Sequence, residues 1–507
     1  MKTLNILTTG AFATLLLLGS CTKDVDNPQG GGGEGGVVEG IPTYATVSLS
    51  QRTGAGTYAD AGDYVNGTSQ ASEVEKKITD AVVLVFNSDD VLENYVTLDV
   101  VTEGDAPNQT TVAKKTFATT TGKKRLYALA NLGNYSKIEA IFNGQTAANK
   151  KLSNVCKVIQ QIADISGATT DNKFWMSNVY KLGATIEDQV TVQKGDENTN
   201  NFTIYIGRMV AKVTPTFAAD LVVNSGDGDI DTDNAEYRVR NNPNRFFSFP
   251  VYNAAGLLTS PYYDRNYTEG GSYDADGLGA GDYFDNGHDA DDADGIAHTF
   301  VAAGTDSYLT ENSPKEAKRH KVTFLSIKAK WEPNKNATFL AADGTKMEAA
   351  AGMEAIKTPN QGTFYRVQKW KSGKIEGYCP GIYTAQPTAF HKETIDDATD
   401  GVRAELVSRE VAKADQTADT KYVVATYTNG MAYWAYWMRS RLDGTIAEKY
   451  ALKRNNHFKV NIISVDGVGD PNEDDILDKD EDLEADASMK ATIEVLKWNV
   501  VDIEGGI

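Results

Sequence analysis

Ile41-Pro-Thr-Tyr-Ala-Thr-Val-Ser-Leu-Ser50 alternates almost without a break. Ile41, Ala45, Val47 and Leu49 fall on one side, and Tyr44, Thr46, Ser48 and Ser50 on the other. Successive side chains of a strand point to opposite faces, so this stretch predicts a half-buried β-strand. Further along, Ile78–Phe86 (ITDAVVLVF) is nearly all apolar and predicts a central strand buried on both faces. Val112–Phe117, Lys124–Leu132 and Phe202–Thr216 read as further strands, the last of them closing a first domain. Ala140–Ser166, richer in Ala, Leu, Ile and Gln, reads as helical in part. In the second half, Lys321–Trp331, Thr363–Gln368, Lys421–Thr428, Met431–Met438, His457–Val465 and Lys490–Val500 repeat the strand pattern. Many short strands separated by turn residues predict a mainly β chain of two β-sandwiches with minor helical content, meeting near Pro215–Leu221.

Before the first strand lies a different kind of sequence. A weakly basic head at Met1–Lys2, an apolar core at Ala11–Leu18 and the small residues Gly19 and Ser20 precede Cys21. An apolar core this short with a small-residue cleavage site reads as a secretory leader rather than a membrane span. Leu18-Gly-Ser-Cys21 also resembles a bacterial lipobox, in which the cysteine is acylated and becomes the new N-terminus. Several acyl chains on one cysteine suffice for stable anchoring, where a single chain is marginal. Gly30–Gly36, interrupted only by Glu34, is too glycine-dense to pack a core and predicts a flexible tether. The charged Lys23, Asp24 and Asp26 resemble the surface-export signal of lipoproteins in Bacteroides-like bacteria.

The 507 residues carry 70 acidic and 50 basic side chains, a formal charge of −20. That balance disfavours a basic field for nucleic acid or anionic lipid. Beyond Cys21 the chain has Cys156 and Cys379, far apart in sequence, which an oxidising compartment would allow to pair. The five histidines are scattered without metal-ligand spacing, and no paired zinc ligands, nucleophile elbow, zinc-protease helix motif or phosphate loop is visible. No catalytic set, cofactor site or metal site is therefore assigned. Asp289–Gly295 superficially suits calcium, but Ala293 and Phe300 stand where an EF-hand loop needs oxygen ligands. It reads as a solvated acidic loop, and Asp466–Asp486 as a solvated, self-repelling spacer. Tyr433, Trp434, Tyr436 and Trp437 could stack on sugars, although a strand crossing a sandwich core explains them more simply.

The two ends of the β region complement each other. Gln51-Arg52-Thr53-Gly54 follows the first strand directly, and an arginine in a Gly-rich loop is open to a trypsin-like protease. A cut between Arg52 and Thr53 would free the lipid, the tether and the first strand together. The sandwich left behind would expose apolar core and an unpaired edge, a template for a strand from another chain. Lys490–Val500 (KATIEVLKWNV) is a candidate donor. Its phase shifts from Ile493 and Val495 to Leu496, Trp498 and Val500, as a bulge or two-sided burial would require. The alternative is a last strand folded into its own domain.

Taken in order, Arg125–Asn131, Arg208–Val213, Val322–Trp331, Ala432–Trp437, Arg454–Asn461 and Val495–Val500 resemble the fimbrial shaft subunits of Bacteroidales, the type V pilins or fimbrillins, and specifically the major subunit of the short fimbria. The resemblance implies two transthyretin-like β-sandwich domains and no enzyme activity. It divides the chain into leader 1–20, tether 21–40, propeptide strand 41–52, domains 53–216 and 217–488, and donor strand 489–507. It implies export as a lipoprotein to the outer membrane, cleavage by an arginine-specific protease at a position that Arg52 fits, and filling of the vacated groove by the next subunit's C-terminal strand. The partners implied are further copies in a head-to-tail filament, the heterologous geometry that gives fibres, together with anchor and tip pilins. An anchor or tip adhesin, or a surface glycan-binding lipoprotein, would be the alternatives. The Asp/Tyr/Gly-rich stretch Tyr262–Gly295 departs from the family pattern.

Overall fold

The alternating stretch becomes a strand with neighbours on both sides. In the computed structural model, Pro42–Gln51 runs antiparallel to Thr110–Thr120 and parallel to Asn201–Arg208. The structure describes residues between 37 and 499; the longest stretches outside the description are 1–36, 52–66, 156–168, 253–298 and 389–405, and 500–507 also falls outside it. Asp289–Gly295, the rest of Tyr262–Gly295, and Cys156 are therefore not described.

The first sheet is nine-stranded and mixed. Its order is Leu92–Thr97, Ala81–Phe86, Gly122–Ala130, Met176–Ser177, Asn201–Arg208, Pro42–Gln51, Thr110–Thr120 and Asp99–Glu103, with Gln189–Val192 paired to Gly122–Ala130. Ala81–Phe86 is buried at every position and flanked on both edges, as its unbroken apolar run predicts. One hydrophobic core runs from Val47 to Val210 and another from Ala211 to Met489. Around the second core, Ala211–Val223 and Asn456–Val465 pair in parallel, while Phe324–Pro333 takes Glu236–Arg240 on one edge and Met431–Trp437 on the other. A further sheet is built on Phe364–Lys371 and Thr420–Tyr427. The helices stay short, the longest among the described residues being Ser136–Gly144 and Ala349–Lys357. The protein is mainly β, with the helices confined to connections.

Phe202–Thr216, expected as one strand, is two. Asn201–Arg208 belongs to the first sheet and Ala211–Val223 to the second. The chain bends at Met209 and Val210, where the Met209 N–H donates to the Trp175 carbonyl and the Asn455 N–H to the Val210 carbonyl, both at 2.8 Å. Both bend residues are fully buried in the first core, so the apolar pattern continues through the corner and conceals it. The change of core thus falls a few residues before Pro215–Leu221.

The aromatic stretch lies inside. Trp434, Tyr436 and Trp437 are buried, and Trp434 Nε1 donates to the Gly467 carbonyl at 3.0 Å. They are core residues, not a sugar platform.

The acidic run corrects a further expectation. Asp470, Glu473 and Asp475 are buried rather than solvated. The Asp470 backbone exchanges two 2.8 Å hydrogen bonds with Tyr433, and its side chain accepts from the Tyr378 hydroxyl at 2.7 Å. Glu473 is paired with Arg238 and Arg240. Asp475 accepts from Gln368 Nε2 at 2.8 Å and Arg409 Nε at 2.7 Å. Self-repulsion within the run loses to these cations and donors supplied from other strands and a helix, which sequence spacing does not reveal. Asp475→Ala would strand those donors and should lower stability by about 2–4 kcal/mol, seen as a shifted urea midpoint.

Candidate strand-exchange site

Pro42–Gln51 is held along both edges. It pairs with Thr110–Thr120 from Pro42↔Thr120 to Leu49↔Ala113, and with Asn201–Arg208 from Thr46↔Asn201 to Gln51↔Ile206. Ala45, Val47 and Leu49 are buried, as the alternation predicts. Val47 and Leu49 join the first core with Ala113, Ile204 and Ile206. The opposite face is polar. Thr46 Oγ1 meets Thr116 Oγ1 at 2.8 Å, and Ser48 Oγ meets Thr203 Oγ1 at 3.3 Å.

The start of the strand is fastened by residues the sequence did not single out. Thr43 Oγ1 donates to the Gly195 carbonyl at 2.8 Å, and Asn200 Nδ2 donates to the Tyr44 carbonyl at 2.8 Å. The Ile41 N–H donates to Thr121 Oγ1 at 3.0 Å, while the Thr121 N–H returns a bond to the Ile41 carbonyl at 2.8 Å. Short polar side chains beside a turn are common, so no sequence signal distinguishes Asn200 or Thr121 as clasps. Cys21, Arg52, Thr53 and Val500 lie outside the described residues.

Removing this strand would leave Thr110–Thr120 and Asn201–Arg208 each with an open edge and uncover the apolar positions beneath it. Burial of Val47 and Leu49 contributes about 1.5–3 kcal/mol each. The gap so left, a slot, would be bounded by two strand edges as its walls.

The last strand, Met489–Asn499, lies on its own chain. It runs antiparallel to Asn456–Val465 and, at Leu496–Asn499, parallel to Gly67–Gln70. Ile493, Val495, Leu496 and Trp498 are thus placed in this strand, in a different sheet from the slot. The ladder irregularity falls between Ile462 and Ser464 of the partner strand. It does not coincide with the phase shift at Val495–Leu496, so a bulge there is not its cause. What the backbone does supply is a neighbour on each edge at Leu496 and Lys497.

His457 pairs in the ladder with Leu496. Its Nε2 is 2.6 Å from Thr214 Oγ1, which donates to Asp306 Oδ1, also at 2.6 Å. Burial, with Lys212 adding to it, pushes the imidazole from its ordinary 6.5 down to about 4. Between those values the unfolded chain binds a proton that the folded chain does not. His457 thus supports stability above about pH 6.5, and that support is lost as the pH falls towards 4. Urea midpoints at pH 7 and pH 5 should differ less in His457→Gln than in the unaltered chain.

Among the described residues no cluster of His, Cys, Asp and Glu is arranged to hold a metal ion. Cys379 is a buried free thiol, its pKa raised by burial. What the site holds is a first strand enclosed on both edges and a last strand paired within its own chain.

Comparison with known proteins gives the chain its family. The family model of the major fimbrial subunit protein (FimA) matches residues 45–234. The model of the C-terminal part of fimbrillin, the major fimbrial subunit protein type IV, matches 425–504, so that the two cover more than half of the chain between them. The chain belongs to the fimbrillin family of fimbrial subunits, structural adhesion proteins of the cell-surface fimbrium and not enzymes. Similar solved structures include a candidate cell adhesion protein from Parabacteroides distasonis, 12% identical with a TM-score of 0.42, covering 90% of this chain and 100% of that one. A fimbrilin (fimA) from Porphyromonas gingivalis is 13% identical with a TM-score of 0.39, covering 90% of this chain and 98% of its own. The tip fimbrial protein Mfa3 from Porphyromonas gingivalis is 11% identical with a TM-score of 0.36, covering 90% and 100%. No curated relative matches the sequence.

Proposed function

We propose that this fimbrial subunit is a shaft subunit that polymerises by strand exchange. It is exported as a lipoprotein acylated at Cys21 and held at the outer membrane by the tether 21–40. An arginine-specific protease cuts between Arg52 and Thr53, the strand 41–52 is discarded, and the strand in 489–507 of another copy enters the slot. Domains 53–216 and 217–488 then repeat head to tail, with anchor and tip pilins at the ends of the filament.

The observation that carries this reading is the interior position of Pro42–Gln51 between two walls. An edge strand could be lost with one face of the ladder open; an interior strand leaves a gap that only another strand repairs. The energetics favour the trade. Met489–Asn499 is flanked along its length by one strand and by a second only at its end, whereas the slot flanks its occupant on both sides over a longer stretch. Treating the full-length chain with an arginine-specific protease should yield a ladder of oligomers on an unheated gel. A subunit cut after Arg52 that stays monomeric would sink the reading, and monomer that binds glycans instead would favour a surface lectin.

A further inference from the structure

We propose that Gly67–Lys77 is a latch that keeps the last strand on its own subunit, and that the cut which frees the first strand also loosens this latch. The proposal rests on the strand-exchange reading above and adds a control to it. Two observations lie behind it. First, Gly67–Gln70 covers the outer edge of the last strand, with Gly67 opposite Leu496, Thr68 opposite Lys497, Ser69 opposite Trp498 and Gln70 opposite Asn499. A strand of four residues holds poorly by itself.

Second, the residues that follow are pinned. Ser72 caps the short helix Glu73–Lys76 and forms a capping box with Glu75, whose Oε2 accepts from the Ser72 N–H at 2.6 Å. Glu75 is only 3% exposed. Its Oε1 accepts from the Tyr308 hydroxyl at 2.9 Å and Lys212 Nζ at 3.3 Å, and its carbonyl accepts from Arg208 Nε at 2.9 Å. Arg208 ends a wall of the slot, while Lys212 and Tyr308 stand on two paired strands of the sheet that also holds the last strand. Glu75 therefore ties the latch to both cores at once.

In the uncut chain Gln51, paired in the slot, and Gly67, paired beside the last strand, are joined by continuous chain. A cut after Arg52 turns Gly67–Gln70 from a segment anchored on both sides into one near a free N-terminus, where short strands fray. One peptide bond thus controls acceptor and donor together. The uncut subunit neither offers a slot nor extends a strand.

Thr68→Cys combined with Lys497→Cys in the full-length chain tests this directly. After cleavage at Arg52, the oxidised, locked protein should fail to form oligomers, and reduction should restore the rate of the unaltered chain. Equal assembly of oxidised and reduced protein would overturn the latch. Failure of the cut, unaltered chain in the same assay would instead overturn strand exchange itself, and the latch with it. Amide hydrogen exchange on the uncut chain gives a readout that needs no assembly. In Glu75→Ala, Lys490–Asn499 should exchange about tenfold faster, the scale of one lost charge-assisted hydrogen bond, while Ala81–Phe86 stays protected. Unchanged protection at Lys490–Asn499 would overturn the proposal whatever the assembly assay gives.

Discussion

Arg52→Ala should leave the subunit lipidated, full length and monomeric, with no fibres on the cell. Effective concentration decides the outcome. While the chain is intact, the first strand is tethered to its own slot through 52–66. A tethered occupant competes at roughly millimolar effective concentration, against which a free donor at micromolar concentration loses by about a thousandfold. Cleavage removes that advantage, because a first strand that leaves the slot stays with the lipid and not with the body of the subunit. Thermal unfolding of the precursor, compared with the unaltered chain, separates loss of cleavage from loss of folding. Fibres seen by electron microscopy in Arg52→Ala cells would show that the trigger lies elsewhere.

Ending the chain before Met489 should have the second largest effect: loss of donation, and a measurable loss of stability. The residues alone suggest a tail that can be removed without unfolding the domains. The structure changes that expectation, since Asn456–Val465 would lose an entire flank and Gly67–Gln70 its partner. Phe458, Val460 and Ile462 of Asn456–Val465 are buried, and Met489 itself belongs to the second core. A loss of several kcal/mol is the expected scale for removing Met489 from the second core together with the ladder along Asn456–Val465. The truncated, cut subunit keeps its slot, however, and can still accept a donor. Mixed with the unaltered chain, it should enter at one end only and cap growth, shortening fibres in proportion to its share. Fibres of normal length at equal mixing would mean that the last strand is not the donor.

Two buried strands were legible in the residues, for different reasons. Val47 and Leu49 alternate with polar neighbours, and burial follows that alternation directly. Ala81–Phe86 announced its two flanks by being apolar throughout. The partners were not legible. Thr110–Thr120 and Asn201–Arg208 lie far from the first strand in sequence, and pairing over such separations depends on the whole topology rather than on local pattern. The corner at Met209–Val210 stayed hidden because burial on both sides of a bend looks like burial within a strand. Charge misled at Asp470, Glu473 and Asp475, which read as solvent-facing until Arg238, Arg240, Gln368 and Arg409 arrive from elsewhere in the chain. Glu75 gave no sign of its role either, since its partners Arg208, Lys212 and Tyr308 converge only in the fold.

Cys21 and Arg52 remain features of the sequence, and their roles turn on chemistry at the chain's own N-terminus. The most direct measurement is the N-terminal residue of the protein in fibres sheared from the cell surface, read by mass spectrometry. A chain beginning at Thr53, with the lipidated Cys21 peptide left in the membrane fraction, is the result strand exchange requires. A fibre subunit that still begins at acylated Cys21 would contradict it.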